Sequence, residues 1–243
     1  MKTILILGAT SGIGEAVAYR FAKEGYLLLL TARQTDLLSD MIRDLQTRFA
    51  SIAHAFSFDA LTFGEHKIFY NSLPIKPDVV VCVFGYLGNH LETRSKFDES
   101  FKTIQTNYTG AISILDIIAK DFEQRRKGII IGISSIAGER GRKSNYHYGS
   151  AKAGFTAYLS GLRQRLYSSG VHVLTVKPGF VKTRMTEGMK LPPSLTNSPE
   201  KSADDIYRAF TKRKNVVYTP HIWRYIMFII RMIPENIFKK LNL

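Results

Sequence analysis

Thr3-Ile4-Leu5-Ile6-Leu7-Gly8-Ala9-Thr10-Ser11-Gly12-Ile13-Gly14 is the stretch whose reading decides the fold. Its first five residues are apolar or β-branched, with no polar alternation, which describes a short strand buried on both faces. The strand runs directly into glycines spaced G-x-x-x-G-x-G, and a helix-length amphipathic segment, Gly12–Glu24, follows. In such a turn Gly8 permits the tight reversal, Gly12 lets the backbone approach a pyrophosphate, and Gly14 lets the helix close on the strand. The freed backbone N–H groups of the loop, with Thr10, Ser11 and Ile13 among its residues, and the helix N-terminus then face the phosphates. A plain strand-to-helix turn could carry the same glycines. The position between the first strand and the first helix gives the loop its weight.

Outward from this stretch the same alternation repeats. Strand-like apolar runs occur at Tyr26–Ala32, Ser51–Phe58, Asp78–Phe84, Gly128–Ser134, Val171–Val176 and Val216–Thr219. Helical segments lie between them at Asp36–Ala50, Leu61–Leu73, Asp98–Glu123, Tyr146–Ser169 and Ser202–Arg213, and Leu191–Pro199 reads as a proline-rich loop. Strand–helix alternation with buried strands implies right-handed crossovers and a parallel sheet. The fold class expected is therefore α/β, a doubly wound Rossmann fold with a parallel sheet of about seven strands and helices on both faces. No linker or repeat divides the chain, so residues 1–243 read as one dinucleotide-binding domain, with 215–243 as a basic, apolar C-terminal extension.

Composition narrows the classes. Of 243 residues, 34 are Lys or Arg and 20 are Asp or Glu, a formal net charge of +14. Such an excess asks for an anionic partner: a nucleotide, a nucleic acid or an acidic membrane surface. The basic residues are scattered, with no run interleaving aromatics as a single-strand track would, so nucleic acid is not expected as a partner. The one cysteine, Cys82, excludes an internal disulfide and a cysteine-based metal site, and is in keeping with a reducing, cytoplasmic setting. The apolar run before Gly8 is too short for a signal-peptide core. No stretch reaches the roughly 20 apolar residues of a spanning helix.

Two further groups of residues carry chemistry. At the end of the second strand stands Thr31-Ala32-Arg33, with no acid before Asp36. An acid there would bond a ribose 2′-OH, whereas Arg33 can pair with a 2′-phosphate, so NADPH is favoured, with NADH as the alternative. After the third strand, Asp59-Ala60 reads equally as a contact to the adenine amino group and as the cap of the next helix. Tyr148 and Lys152 lie four apart on one helix face, where an ammonium would lower the phenol pKa and permit proton exchange near neutrality. The spacing specifies little by itself, since Tyr19 and Lys23 share it. Context separates the pairs, because Ser135 precedes Tyr148 by thirteen residues and closes a strand whose carboxyl end would border the ligand crevice.

Gly8–Gly14, Asn107 in Thr106–Gly110, Ser135 in Ser134–Gly138, Tyr148–Lys152 and Pro178-Gly179-Phe180-Val181-Lys182-Thr183 occur in that order. Together they resemble the compact, single-domain branch of the short-chain dehydrogenase/reductase family, over roughly residues 1–220. The resemblance implies an NAD(P)-dependent oxidoreductase in which Tyr148 is the general acid for carbonyl reduction. It implies that Lys152 lowers the tyrosine pKa and holds the nicotinamide ribose, and that Ser135 bonds the substrate oxygen. Asn107 would help hold a water linking Lys152 to solvent, and Pro178, Gly179, Val181 and Thr183 would hold the carboxamide. The family's Asn-Asn-Ala-Gly segment is here Cys82-Val83-Phe84-Gly85, which keeps Gly85 but loses the bracing asparagines. Homodimers and homotetramers are common in the family.

A second set of segments, Phe84–Gly88, Ala137–Tyr146, Lys182–Thr186 and the tail from Tyr218, resembles a subgroup: the ketoreductase partners of decaprenyl-phosphoryl-ribose epimerases. That resemblance implies a 2-keto pentofuranose on a polyprenyl phosphate as substrate; a small soluble or lipidic ketone, or a catalytically idle regulator, is the alternative. The tail supports a lipid in its own terms. Arg224 and Arg231 share one helical face of an otherwise apolar run, and residues 212–243 hold seven Lys or Arg against one acid, Glu235. An apolar helix flanked by cations fits peripheral contact with the inner membrane face, and equally a subunit interface or substrate lid.

Overall fold

In a computed structural model, which describes residues 1–241, the chain alternates strands and helices almost throughout. The strands are β1 (Thr3–Leu7), β2 (Leu27–Ala32), β3 (Ala53–Ser57), β4 (Val79–Cys82), β5 (Ile129–Ile133), β6 (His172–Pro178), β7 (Phe180–Val181), β8 (Thr196–Asn197) and β9 (Val216–Thr219). The helices are α1 (Gly12–Ala22), α2 (Ser39–Phe49), α3 (His66–Ser72), α4 (His90–Ser95), α5 (Phe97–Ile104), α6 (Gly110–Arg125), α7 (Tyr146–Leu166), α8 (Pro199–Thr211), α9 (Trp223–Met232) and α10 (Glu235–Phe238). Seven strands form one sheet in the order β3-β2-β1-β4-β5-β6-β9, and every pairing in it is parallel. β7 and β8 pair separately.

The continuous apolar runs have a direct reason. Every residue of β1, β2 and β4 is buried, because helices cover both faces of the sheet. Alternate residues serve opposite layers. Ile4, Ile6, Leu28 and Leu30 pack under α1, α2 and α8, with Val17, Leu45 and Ile206 as contacts. Leu5, Leu7 and Leu29 pack under α3, α6 and α7, with Tyr70, Ile118 and Phe155. The order reverses between β1 and β4, where the chain has wound outward in both directions. The carboxyl ends of those strands therefore part and leave a crevice above the sheet.

Three sequence expectations change. The helix expected over Asp98–Glu123 is interrupted by a π-helical turn, Gln105–Thr109, that separates α5 from α6. Leu191–Pro199 is not wholly loop, since it holds a 3₁₀ turn at Pro193–Leu195 and the strand β8. Val216–Thr219 is the edge strand of the main sheet, so the appended part begins after it rather than at residue 215. Residues 242 and 243 of the expected extension lie outside the described residues. No helix among the described residues is long and apolar enough to cross a membrane.

Candidate active site

A cleft of about 520 Å³ opens over the carboxyl ends of β1, β4, β5 and β6. Its floor begins at the glycine loop. Gly8 has φ +98°, a conformation that disfavours any side chain, and a Cβ there would meet the Phe84 backbone at 2.7 Å. Ser11 caps α1: its hydroxyl donates to the Gly8 carbonyl at 2.8 Å and accepts the Gly14 N–H at 3.1 Å. A Cβ on Gly14 would overlap the Gly8 carbonyl oxygen, so the helix can start this close to the strand only on glycine. Ser11, Gly12 and Ile13 face the cleft, while Gly8, Thr10 and Gly14 shape the loop behind them. Arg184 donates to the Thr10 carbonyl at 2.6 Å and ties the loop to the segment after β7. Backbone N–H groups at the N-terminus of an eleven-residue helix, opening into the cleft, suit a dinucleotide pyrophosphate, and Gly12 has no room for a side chain because the Thr183 methyl lies 2.8 Å from where its Cβ would stand.

The expected catalytic group converges at the far side of this cleft. Ser134 ends β5, and its hydroxyl bonds the Lys152 carbonyl at 3.0 Å and Thr156 at 2.6 Å, which locks the strand to α7. Ser135 follows in extended conformation, and its hydroxyl accepts the Ala137 N–H at 3.1 Å while lying beside Tyr148. Tyr148 stands in the first turn of α7 and Lys152 one turn later; both line the cleft with Ser135 and Gly85. The Lys152 ammonium donates to the Ile133 carbonyl at 3.0 Å and sits 5.8 Å from the Tyr148 ring centre.

Burial pushes the Tyr148 phenol up to about 12, and the neighbouring Ser135 only partly offsets it. Burial pulls the Lys152 ammonium down to about 8, and that ammonium turns toward the Ile133 carbonyl. The tyrosine is held as a proton donor at neutral pH. Cys82 is fully buried with its thiol pushed up to about 12, as suits a packing residue rather than a nucleophile.

Asn107 also has a bracing task through its side chain. It is buried in the π-helical turn, where its amide donates to the Tyr86 and Thr103 carbonyls and its oxygen accepts the Tyr86 N–H at 3.1 Å. It braces the segment after β4, the place where the two asparagines are missing. Pro178, Gly179, Val181 and Thr183 all line the cleft. A Cβ on Gly179 would overlap the Trp223 ring, so this glycine also seats the C-terminal helix. Arg33, Asp59 and Ala60 lie outside the cleft lining. Arg33 is exposed at the end of β2, its side chain without a protein partner among the described residues. The Asp59 carboxylate accepts the Leu61 N–H at 2.9 Å, so it caps the following turn. The Ala60 carbonyl packs against Gly110.

Several lining residues, His90, His147 and Met189 among them, lie outside the motifs read from the sequence. His90, Arg142, Asn145 and His147 add polar groups at the end of the cleft next to Tyr148, and Leu87, Phe180, Met185 and Met189 add apolar ones. The tail packs behind this lining, against Ile136 and Gly179. Trp223 and Met227 pack on Ile136, and the Trp223 N–H donates to the Leu195 carbonyl at 3.0 Å. Arg140 fastens the end of α9 by donating to the Ile230 and Ile233 carbonyls at 2.8 and 2.6 Å, and it pairs with Glu235 at 2.8 Å.

A doubly wound sheet with a glycine loop at its first strand, and a Ser–Tyr–Lys group across the crevice, defines a dinucleotide-dependent oxidoreductase. The short chain dehydrogenase family model matches residues 2–192, and the chain belongs to that family. It is 34% identical over 241 residues to an uncharacterised oxidoreductase of Mycobacterium tuberculosis, covering 98% of this chain and 96% of the relative. It is 30% identical over 210 residues to serine 3-dehydrogenase of Rhizobium radiobacter, covering 85% and 80%. A short-chain dehydrogenase from Sphingobium yanoikuyae in complex with NADPH superposes with a TM-score of 0.83 at 22% identity, covering 97% of each chain. The protein is thus an NAD(P)-dependent oxidoreductase of this family.

Proposed function

We propose that the protein reduces a ketone to an alcohol with NADPH, and that the ketone is a keto sugar carried on a polyprenyl phosphate. The observation that carries the first half is the opening of Ser135, Tyr148 and Lys152 into one cleft with the glycine loop. The nicotinamide, when bound, supplies the hydride. Ser135 holds the carbonyl oxygen, and Tyr148 delivers a proton to that oxygen as the carbon accepts hydride. Lys152 keeps positive charge near the forming phenolate, and Gly85 leaves it room, since a Cβ there would meet Asn107 Oδ1 at 2.9 Å and Lys152 Nζ at 3.6 Å. The second half is supported by the apolar lining of Phe180, Met185 and Met189 and by the uncovered apolar face of α9. A soluble hydroxy-acid substrate is the second reading, favoured by the likeness to serine 3-dehydrogenase. NADPH oxidation measured with lipid-linked and soluble ketones in parallel decides between them. Turnover confined to soluble compounds removes the lipid; no turnover with any ketone removes the reductase.

Two expected outcomes follow here. Arg33→Ala should cost NADPH roughly 10- to 100-fold in affinity and leave NADH nearly unchanged, because only the 2′-phosphate meets that side chain. Titration of both cofactors checks it, and equal losses would assign Arg33 to adenine stacking instead. The pH profile should differ with direction. Reduction needs protonated Tyr148 and charged Lys152, so kcat/KM should stay level through neutrality and fall above about pH 8, where Lys152 loses its charge. Alcohol oxidation needs the phenolate and should keep rising with pH. A reduction rate that instead climbs across neutral pH contradicts the assignment of proton donor.

A further inference from the structure

Buried polar side-chain atoms without partners are rare in folded proteins, and each marks a bound group or an ordered water. Among the described residues there are five such atoms: His90 Nε2, Glu139 Oε2, Arg142 Nε, Asn145 Oδ1 and His147 Nδ1. Four of the five belong to residues lining the cleft. The fifth belongs to a carboxylate already bound by Lys177 and Tyr218. The orphaned groups are therefore concentrated at one end of one cavity. Asn145 and His147 both shortly precede Tyr148 in the chain, and His90 approaches from α4, its ring 5.4 Å from Tyr146 and 6.5 Å from His147.

Arg142 sets the chemistry of this cluster. Its guanidinium has no ion-pair partner among the described residues; Nη2 reaches only the Met227 thioether, at 3.2 Å. Burial lowers its pKa, and Glu139 offsets this only in part, so its charge is held at a cost. A desolvated cation lining the same cleft as two imidazoles with free ring nitrogens offers donors of the kind that take a tetrahedral oxyanion. The apolar residues opposite leave room for the rest of a larger molecule. We infer that Arg142, with His90 and His147, forms a recognition site for a phosphate group on the ketone substrate. This rests on the reductase reading and names what that substrate must carry.

The test compares dihydroxyacetone phosphate with dihydroxyacetone, ketones that differ by the phosphate alone, in the NADP-loaded protein. Wild type should bind and reduce the phosphate ester in preference to the neutral triose. Arg142→Gln should lower that preference about 10- to 100-fold, carried by KM rather than kcat, and Arg142→Lys should restore part of it. Lys143→Gln, an exposed neighbour on the same loop, should leave the preference intact. Calorimetric binding of the two trioses gives the same comparison without turnover, so an absence of ketone reduction would count against the reductase reading alone. Inhibition by geranyl phosphate well below the concentration needed of inorganic phosphate assigns the group to a lipid headgroup; equal inhibition assigns it to a soluble ester. A wild type that does not distinguish the trioses, a preference that survives Arg142→Gln, or an equal loss in Lys143→Gln overturns the inference.

Discussion

Tyr148→Phe should lower turnover by about 10²–10⁴-fold while leaving dinucleotide affinity unchanged. The substitution removes one oxygen and keeps the ring, so the packing of α7 on β5 is preserved. What disappears is the hydroxyl beside Ser135 that would follow hydride with a proton. Two controls make the result specific. Tyr19→Phe removes a phenol with the same spacing to a lysine, but its hydroxyl bonds Asp44 at 2.6 Å on the α1–α2 side of the molecule, and it should leave turnover intact. Fluorescence titration of NADPH separates lost chemistry from lost binding. Near wild-type reduction by the Phe variant would remove Tyr148 from the proton path.

The second large effect is expected at α9. Tyr225, Phe228, Ile229 and Met232 are 58–69% exposed along one side of this helix, with the exposed Arg224 and Arg231 beside them. Trp223 and Met227 on its other side are buried against Ile136. A triple change, Phe228→Ser with Ile229→Ser and Met232→Ser, therefore strips the free face and spares the packed one. Each full burial of such a side chain is worth about 1.5–3 kcal/mol, so partial insertion of three should contribute several kcal/mol. Partitioning onto anionic vesicles should fall roughly 10²–10³-fold. High salt should reduce only the share due to the cations. Deleting the tail would be less informative, because it would also uncover Ile136 beside Ser135 and free Arg140. If the triple variant changes the association state and not vesicle binding, the face meets protein rather than lipid.

The two halves of the site were unequally legible in the amino-acid sequence. The glycine loop and the strands declare themselves because their causes are local: a turn that admits no side chain, and apolar runs buried on both faces. Ser135, Tyr148 and Lys152 could be placed because each falls at a fixed offset from a strand end. The break at Asn107 could not be read, since a π-helical turn inserts one residue into a pattern that otherwise stays helical. Nor could its bracing bond, which depends on Tyr86 reaching it across 21 residues. Arg142 looks like any other of 34 basic residues until Met227, 85 positions later, covers it. Arg33 and Asp59 illustrate the opposite case. Their residue types were informative, but one stands free at a strand end and the other caps a turn.

The seating of the C-terminal helix on Gly179 has an optical consequence. The chain contains a single tryptophan, and that indole rests on Gly179 and edge-on to Phe180, with ring centres 5.4 Å apart. All tryptophan emission from this protein therefore originates directly behind Gly179 and Phe180, which line the cleft. An unmodified sample carries its own local probe there, and neither a label nor an engineered chromophore is needed to watch that lining respond to what enters.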